Sequence, residues 1–304
     1  MAAVLRILDQ QPADFTPRVR PAWLRALGDD DPPLEIVVER TTFRRLEIFK
    51  HDSWAATALY SARGRLIVAK FNRRQSLLGL SGAWVGRRLA RREAKFLRRL
   101  ATSGFVPQLL GPVFVAGNRA RHAVARTYIE GSPLGRDVPL RDDFFARLRT
   151  AVNEIHRRGI AYVDLHKREN VLVGRDGRPY LIDYQASFGP SAALVGAVPF
   201  VAWFLGILQR MDLYHLTKLH RKFRPDQCPL SREELAALRP GFVRLHRFFA
   251  QPLRTARRRL LNWIGVRGAG GRAESEQFTE AALRRQTPSE LSAATDRARF
   301  ERAA

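Results

Sequence analysis

The sequence predicts an α+β fold of two lobes, a small N-terminal lobe of antiparallel strands and a mainly helical C-terminal lobe. Residues 44–71 contain three apolar, β-rich runs separated by short polar connections, the pattern of successive antiparallel strands. Apolar residues recur at helical spacing in residues 89–100 and again in residues 145–155. Residues 171–183 predict a further hairpin, whose turn is the run RDGR. Strands therefore fill most of the first lobe, and helices most of the second.

The chain of 304 residues divides into four predicted segments. Residues 1–33, rich in Pro and Asp, form a loose leader, and residues 34–130 form the N-lobe. Residues 131–267 form the C-lobe with basic amphipathic terminal helices, and residues 268–304 form a mobile tail with few large apolar residues. About 230 patterned residues suffice for one two-lobed domain with an adequate core.

The chain lacks the marks of a secreted protein. Its N-terminal leader has neither the long apolar stretch nor the cleavage site of a secretion signal. The single cysteine, Cys228, excludes an internal disulfide and is typical of a reducing cytoplasm. The sequence contains no Cys/His metal pattern and no internal repeat. We therefore expect a cytoplasmic protein.

The three N-terminal strands are joined by a polar connection and then by a tight turn at Arg63–Gly64. The last strand ends on Lys70, which places a long cation on a rigid element. The polar connection contains no glycine, so bare backbone cannot approach a phosphate there. A phosphate contact from this region would have to come from Lys50 or from the hydroxyls of Ser53 and Thr57.

Two further strands and a core helix follow. Residues 111–134 predict the strands, around a turn at Gly117–Asn118. Residues 140–159 predict a helix that begins with acidic residues and stops at Gly159. His156, near its end, is expected to be a packed structural residue.

Residues 162–187 are the most informative stretch, because short β-rich pieces there surround a polar loop and a hairpin turn. Asp164 lies at the mouth of the loop, where a carboxylate can take a proton from an attacking hydroxyl. Asn170 and Asp183 lie at the start and end of the hairpin, and their oxygens can hold Mg²⁺ against nucleotide phosphates. This order of residues predicts phosphoryl transfer.

The same stretch resembles the active-site motifs of the protein-kinase-like superfamily. VDLHKREN looks like the catalytic loop, with Asp164 as the base and Asn170 as the metal-binding amide. IDYQ looks like the metal-binding triplet, with Asp183 as its acid. The loop has one residue more than the usual pattern, and Gln185 replaces the glycine of the triplet. The resemblance implies a two-lobed protein-kinase-like fold that uses ATP and Mg²⁺, with Mn²⁺ as an alternative.

The resemblance also implies roles for upstream residues. Lys70 would reach the α and β phosphates, and Glu93 would be its partner on a helix. Read alone, Glu93 is an acid among many arginines, which is typical of a solvated salt bridge within its own helix. The run TYIEG resembles the hinge between kinase lobes, so adenine would lie against residues 126–130, which include Tyr128 and Glu130.

The resemblance covers residues 35–223. Within the superfamily it is strongest to the bacterial lipopolysaccharide kinase group, the Kdo and heptose kinases, together with the RIO-like atypical kinases. KHDSWAATALY, YVDLHKREN and an apolar-then-basic insertion before the Glu93 helix carry this closer resemblance. The usual Ala-Pro-Glu end of an activation segment cannot be aligned. The resemblance implies a membrane-anchored sugar or glycolipid as the phosphoryl acceptor.

The charge of the chain points to anionic partners. The 53 Lys and Arg residues exceed the 29 Asp and Glu residues and give a formal charge of +24, which attracts any polyanion. Basic and bulky apolar residues interleave in residues 77–99, 216–223 and 242–266, a pattern that suits helices lying in a headgroup layer. The alternative for the last segment is a terminal helix with a solvated arginine face. We expect an anionic membrane surface as a partner, with nucleic acid as the alternative, and a peripheral position at the inner face of the membrane.

An uncharged stretch, residues 184–209, follows the hairpin. Within it, residues 192–208 are continuously apolar or small, close to the minimum length for a bilayer span. A crossing would split the C-lobe, so a hairpin or broken helix that is buried or dips into the leaflet is favoured over a full span. Asp212, just beyond, is either a helix cap, the commoner role, or the acid that braces the catalytic loop in kinase folds.

The sequence thus predicts transfer of the γ-phosphoryl group of ATP to a hydroxyl. Lys167, beside the base, would neutralise charge on the transferring group. An atypical Ser/Thr protein kinase is the first alternative, and a catalytically weak nucleotide-binding scaffold is the second. The predicted catalytic residues are Asp164 and Lys167, the predicted metal ligands are Asn170 and Asp183, and the predicted nucleotide-binding residues are Lys50, Ser53, Lys70, Glu93, Tyr128 and Glu130.

Overall fold

The computed structural model describes residues 22–76 and 82–238, together with Gly241. Residues 1–21 of the predicted leader, the basic segment 242–266 and the predicted tail at 268–304 lie outside the described residues.

The N-lobe contains a seven-stranded antiparallel sheet with the strand order β6-β5-β1-β2-β3-β4-β7. A second, three-stranded antiparallel sheet of order β10-β9-β8 belongs to the C-lobe. The strands are β1 (Glu35–Val38), β2 (Thr41–His51), β3 (Ala55–Ala62), β4 (Arg65–Asn72), β5 (Phe114–Val115), β6 (Asn118–Arg119), β7 (Ala123–Thr127), β8 (Gly131–Pro133), β9 (Val171–Gly174) and β10 (Pro179–Leu181).

Helices form the rest of the C-lobe and one long element of the N-lobe. Short 3-10 helices occupy Ala22–Leu24, Asp164–His166 and Arg168–Asn170. The α-helices are α1 (Gly82–Arg99), α2 (Phe144–Arg157), α3 (Ala192–Ala197), α4 (Pro199–Phe223) and α5 (Arg232–Ala237).

Each lobe has its own hydrophobic core. Phe43, Tyr60 and Phe71 are buried beneath the large sheet, where alternate residues of each strand face inward. Phe144 and Tyr162 are buried in the C-lobe core, which also takes in the C-terminal half of α1. The predicted two-lobed α+β fold is therefore confirmed.

Two tight turns of the N-lobe each contain a glycine at positive φ, preceded by a non-glycine residue that also has positive φ. Arg63 and Gly64, with φ of 49° and 78°, join β3 to β4 as predicted. The second predicted turn is one residue off, because Ala116 and Gly117 take the positive φ angles instead of Gly117 and Asn118. The strand predicted after that turn is in fact two strands. β6 pairs with β5, whereas β7 crosses the sheet to pair with β4.

Helix α1 is docked closely against the chain that leaves β4. A Cβ atom added to Gly86 would lie 2.2 Å from the Arg73 carbonyl oxygen, and one added to Gly82 would lie 2.0 Å from the Gln75 carbonyl oxygen. Both contacts are with backbone that cannot rotate away. These two glycines therefore fix the distance between α1 and the sheet.

The other end of α1 is tied to the C-lobe by its basic side chains. Arg99 donates hydrogen bonds to the carbonyl oxygens of Gly189, at 3.0 Å, and Arg158, at 2.6 Å. Arg158 in turn donates to the Arg99 carbonyl oxygen at 2.7 Å, and Arg92 donates to the Ser187 carbonyl oxygen. α1 thus joins the large sheet to the segment that follows β10.

The uncharged stretch predicted at 192–208 is a broken helix. α3 ends at Ala197 and α4 begins at Pro199, a residue suited to the first turn of a helix. Leu205 and Leu208 are buried, but Phe200 and Trp203 are 65% and 55% exposed. The expectation of a buried core is thus wrong for the first part of this stretch. Among the described helices, none is long and apolar enough to cross a bilayer.

Candidate active site

Four predicted side chains meet in one cleft between the lobes. Lys70, near the end of β4, extends from the large sheet into the cleft, and Asp164 and Asn170 come from the two 3-10 helices before β9. Asp183 lies two residues after β10, so the β9–β10 hairpin returns it to Asn170. All four line a cavity of about 440 Å³. The structure therefore brings together groups that lie far apart in the chain.

Lys70 forms two ion pairs in this cleft. Its Nζ atom lies 3.2 Å from Oε2 of Glu93 on α1 and 2.9 Å from Oδ1 of Asp183. Glu93 is only 1% exposed, so it is not the solvated intrahelical partner that its arginine neighbours would favour. A buried carboxylate requires a cation, and Lys70 supplies it.

The charges of this network reinforce one another. Burial would lower the pKa of Lys70, but Asp183 and Glu93 outweigh burial and hold that pKa above its ordinary value. Burial would raise the pKa of Asp183, but the Lys70 ammonium outweighs it and holds that pKa below its ordinary value. Both groups are therefore charged at neutral pH.

Asp164 is held by its own loop. Lys167 Nζ lies 2.7 Å from Asp164 Oδ2, and Asn170 Nδ2 lies 3.4 Å from the same oxygen. Between Asp164 and Asn170 the loop is one residue longer than the usual kinase pattern, and it folds into two successive 3-10 helices. Lys167 lies between these helices, with its side chain next to Asp164. Asp164 can therefore receive a proton beside a cation that stabilises developing negative charge.

The loop is braced from below by Asp212. This carboxylate, 0% exposed, accepts hydrogen bonds from the backbone N–H groups of Tyr162 and Val163, each at 2.7 Å, and lies 3.1 Å from the His156 ring. Asp212 lies inside α4, so the commoner expectation of a helix cap is wrong. Val163 has a φ of 71°, which is strained for a β-branched residue. The brace stabilises this strained backbone directly before Asp164.

Asn170 and Asp183 suit a magnesium ion that arrives with phosphates. Asn170 turns its amide nitrogen toward Asp164, which leaves the amide oxygen for a cation. Oδ1 of Asp183 accepts a hydrogen bond from Lys70, and its second oxygen, Oδ2, can bind a cation. Mg²⁺ prefers one or two such oxygen ligands together with water and phosphate. Among the described residues there is no cluster of three or more His, Cys, Asp or Glu that would form a metal cage of protein ligands alone.

The β2–β3 connection does not offer its backbone to phosphates. Asp52 accepts hydrogen bonds from the N–H groups of Trp54, at 2.7 Å, and Ala55, at 2.9 Å. Lys50 lies 2.7 Å from the same carboxylate. Burial would raise the pKa of Asp52, but Lys50 and these N–H groups hold it below its ordinary value. A charged aspartate therefore occupies the N–H groups that a glycine-rich loop would present to a nucleotide.

The predicted nucleotide-binding residues divide between two cavities. Lys50, like Lys70 and Glu93, lines the cleft, as does Thr57. Tyr128 and Glu130 line a neighbouring cavity instead. Tyr128 packs beside Phe49 and Val68, and the Glu130 carbonyl oxygen accepts a hydrogen bond from the Arg175 N–H at 2.8 Å. Ser53 is half-buried beside the cleft and is not among the residues that line it.

Two cleft residues have no predicted side-chain role, although the predicted adenine contact includes residue 126 and Gln185 lies in the predicted triplet. The Arg126 side chain is only 7% exposed, lines the cleft, and has an Nε atom with no hydrogen-bond partner among the described residues. Arg126 pairs with Val68 across β7 and β4, so it faces the same side as Lys70 two residues later. Gln185 also lines the cleft and donates to the Asn72 side chain. Strand register reveals Arg126, but register follows only from knowing which strands pair.

Comparisons with known proteins add a fold likeness at low identity. No protein-family model and no curated protein sequence matches the chain. The structure is similar to the Rio2 kinase from Chaetomium thermophilum, with a TM-score of 0.42 and 17% identity over 56% of this chain and 54% of that one. It is also similar to a Rio2 kinase–ADP/Mg²⁺–phosphoaspartate complex from the same organism, with a TM-score of 0.43 and 15% identity over 76% of this chain and 68% of that one. The match thus spans about half the length of the first.

The arrangement of the elements themselves is that of a two-lobed protein-kinase-like fold. A curled antiparallel sheet carries Lys70, a helix beside it carries Glu93, and a hairpin of the helical lobe carries Asp183. These similarities do not assign the chain to a kinase family. The resemblance to the lipopolysaccharide kinase group remains a prediction.

Proposed function

We propose that the protein is an ATP-dependent phosphotransferase that uses Mg²⁺ and phosphorylates a hydroxyl group. The observation that carries the proposal is the convergence of Lys70, Asp164, Asn170 and Asp183 on one cleft, with Lys70 fixed by buried Glu93. An ammonium, a base and two oxygen ligands are the groups that phosphoryl transfer requires.

Each residue has one task in this proposal. Lys70 binds and orients the phosphate oxygens of the donor, and Asn170 and Asp183 hold the metal. Asp164 orients the acceptor hydroxyl and accepts its proton as the oxygen–phosphorus bond forms and the bond to the departing nucleoside diphosphate breaks. Lys167 stabilises negative charge beside the base. Magnesium, when bound, neutralises charge on the phosphates.

The acceptor that we propose is a sugar or glycolipid at the cytoplasmic face of a membrane. Residues 191–200 of the uncharged stretch are mostly exposed and follow Asp183 closely in the chain, which favours an acceptor presented at an apolar surface. An atypical Ser/Thr protein kinase would use the same cleft with a protein acceptor. A nucleotide-binding scaffold is favoured by one observation, the occupation by Asp52 of the N–H groups that phosphates would need.

A labelling experiment tests the proposal and separates these candidates. Purified protein is incubated with ATP labelled at its γ-phosphate and a total membrane extract, and the label is followed into lipid, polysaccharide and protein fractions. Label in glycolipid supports the proposed acceptor, and label in protein alone supports the protein kinase. ATP binding without any transfer supports the scaffold.

Asp164→Ala provides the decisive variant. We expect the rate of phosphoryl transfer to fall by at least about a thousandfold, because the base and the group that positions the acceptor are both removed. Nucleotide affinity should be nearly unchanged. Asp226→Asn, at an exposed aspartate that pairs with Arg224 and does not line the cleft, is the matched control. Equal turnover by Asp164→Ala and wild type would remove Asp164 from the mechanism.

A further inference from the structure

Helix α1 presents a cationic stripe to solvent. Arg88, Arg91, Lys95 and Arg98 are exposed, and their spacing of three or four residues places them on one face of the helix. Within the described part of the chain, no carboxylate pairs with any of these side chains, although Lys95 also contacts the Gly189 carbonyl oxygen. The single acid of α1, Glu93, lies on the opposite, buried face. The stripe is therefore a row of positive charge without internal compensation.

Large apolar side chains are exposed beside this stripe. Leu194, Val198, Phe200 and Trp203 are 45%, 38%, 65% and 55% exposed, and the rings of Phe200 and Trp203 are 5.4 Å apart. They lie on α3, at the break and within the first five residues of α4, where the chain carries no charged residue. Clustered exposed apolar residues are uncommon on soluble proteins and mark binding surfaces.

The stripe and the apolar cluster meet at one face. A groove of about 700 Å³ there is lined on the α1 side by Trp84, Arg88 and Arg91 and on the other side by Val201 and by Leu194, the member of the cluster that lines it. Trp84 is itself 59% exposed, and the Arg88 guanidinium lies over its ring at 5.8 Å. An aromatic ring next to a cation suits the boundary between lipid headgroups and acyl chains.

We propose that this face binds the surface of an anionic phospholipid membrane. The arginines of α1 contact the phosphate headgroups, while Phe200 and Trp203 insert among the upper acyl carbons. Charge complementarity argues for this occupant. The basic segment 242–266 contains no acid, so it is a poor electrostatic partner for the same stripe. Leu194 and Val198 offer no hydrogen bonds to bases or sugars, which argues against nucleic acid.

The membrane-binding face lies close to the cleft along the chain. Ala186 lines the cleft, and only two residues later Phe188 begins to line the groove. The segment after Asp183 therefore leads directly from the candidate active site to the membrane-binding face. Membrane binding by this face would place the hydroxyl of a glycolipid beside Asp164, an expectation that rests on the proposed function. The membrane binding itself does not depend on catalysis.

Vesicle co-sedimentation of the full chain tests the surface. The probes are vesicles of phosphatidylcholine alone and of phosphatidylcholine mixed equally with phosphatidylglycerol. Arg88→Gln/Arg91→Gln should weaken binding to the anionic vesicles by roughly 30-fold at low salt, since each basic residue near the surface contributes about one kilocalorie per mole. Arg119→Gln/Arg121→Gln, which removes two exposed arginines at the far edge of the large sheet, is the matched control and should bind like wild type.

Phe200→Ser/Trp203→Ser tests insertion separately. Wild-type binding to anionic vesicles should partly persist at high salt. In this variant the binding that persists at high salt should be about tenfold weaker, whereas the electrostatic binding at low salt should be kept. Transfer to a water-soluble acceptor should be unchanged in both variants, since neither touches the cleft. Failure of the proposed function would instead abolish transfer and leave vesicle binding intact.

Four results would overturn the inference. The wild-type chain could fail to bind anionic vesicles. Both variants could instead bind these vesicles as wild type does, which would place the contact elsewhere in the chain. Phe200→Ser/Trp203→Ser could convert a dimer into a monomer in light scattering, which would make the face an interface between copies. Single-stranded RNA could bind with the same sensitivity to Arg88 and Arg91 while vesicles do not.

Discussion

At the residue scale, Lys70 is the contact that joins the two lobes electrostatically. Its ammonium lies between Glu93, which is buried on α1, and Asp183, which belongs to the helical lobe. Removal of one partner from a buried ion pair leaves an uncompensated charge, which costs more than the pair itself contributes. Lys70 should therefore affect both stability and transfer.

Lys70→Met should lower the free energy of unfolding by about 3–5 kcal/mol and reduce phosphoryl transfer at least about a hundredfold. The loss of stability arises because Glu93 remains buried without a cation. Urea unfolding and the transfer assay measure the two effects.

The double variant Lys70→Met/Glu93→Gln separates stability from catalysis. Neutralising Glu93 should recover much of the stability lost in Lys70→Met, because the buried charge is gone, whereas transfer should stay low because no ammonium faces the phosphates. Recovery of transfer together with stability would show that Lys70 has only a structural role.

The residues of the cleft differ in how far the sequence predicts them. Asp164, Asn170 and Asp183 lie on one hairpin and its preceding loop, so local spacing brings them together. Asp52 could be suspected from its place before a turn, where an aspartate commonly accepts backbone N–H bonds. Residue 126 belongs to the predicted adenine contact, but the direction of the Arg126 side chain could not be predicted, because it depends on the pairing of β4 with β7.

At the element scale, the two glycines of α1 set the position of Glu93. Alanine normally favours a helix over glycine, but a Cβ at residue 86 would overlap the Arg73 carbonyl oxygen. The helix would have to move away from the sheet, and Glu93 would move with it.

Gly86→Ala should therefore lower the free energy of unfolding by about 1–3 kcal/mol and also reduce transfer. Gly206→Ala in α4 is the matched control. Apart from its chain neighbours and the backbone of its own helix, no atom of the described residues lies within 4 Å of its added Cβ, so this change should stabilise the protein by about 0.5–1 kcal/mol. Thermal or urea unfolding of both variants checks the pair. A stabilised Gly86→Ala protein would contradict the close docking of α1.

The second prediction at this scale concerns Asp212, which braces the catalytic loop. Asp212→Ala should lower the free energy of unfolding by roughly 3 kcal/mol, because the N–H groups of Tyr162 and Val163 lose their acceptor. The strained Val163 backbone should relax and displace Asp164. As a positioning residue, Asp212 should affect kcat much more than the KM for nucleotide.

Asp212→Asn is the conservative companion. Tyr162 and Val163 donate to different oxygens of Asp212, and an NH2 group replaces one of these acceptors, so one bond is lost and kcat should lie between those of wild type and Asp212→Ala. Equal kcat values for all folded variants would reduce Asp212 to a purely structural role.

The order of elements was more predictable than their ends and partners. The strands from Thr41 to Asn72, and the helix that ends at Arg157 shortly before Gly159, follow local patterns of alternation and turn residues. The division of one predicted strand into β6 and β7 could not be predicted, because it depends on which edge of the sheet remains open. The exposure of α3 is likewise a property of its neighbours, not of its composition.

At the scale of the whole molecule, the formal charge of +24 acts over about the Debye length, which is ~10 Å at moderate salt. Attraction to an anionic surface is then strong in dilute buffer and screened in concentrated buffer, whereas the cleft lies inside the protein and is screened much less.

Raising the salt concentration should therefore slow transfer to a glycolipid embedded in anionic vesicles by about tenfold or more, and change transfer to a soluble acceptor much less. Initial rates at low and high potassium chloride measure the difference, with neutral vesicles as the control. An identical salt response for both acceptors would exclude surface attraction as a contributor to turnover.

The attachment of α1 at both of its ends has a consequence for control. Its glycines hold the strand that carries Lys70, and its arginines hold the loop beyond Asp183. The Lys70–Glu93 pair lies between these two attachments. On the proposed function, we therefore expect the output of the protein in the cell to be governed by where it resides and by the supply of its acceptor.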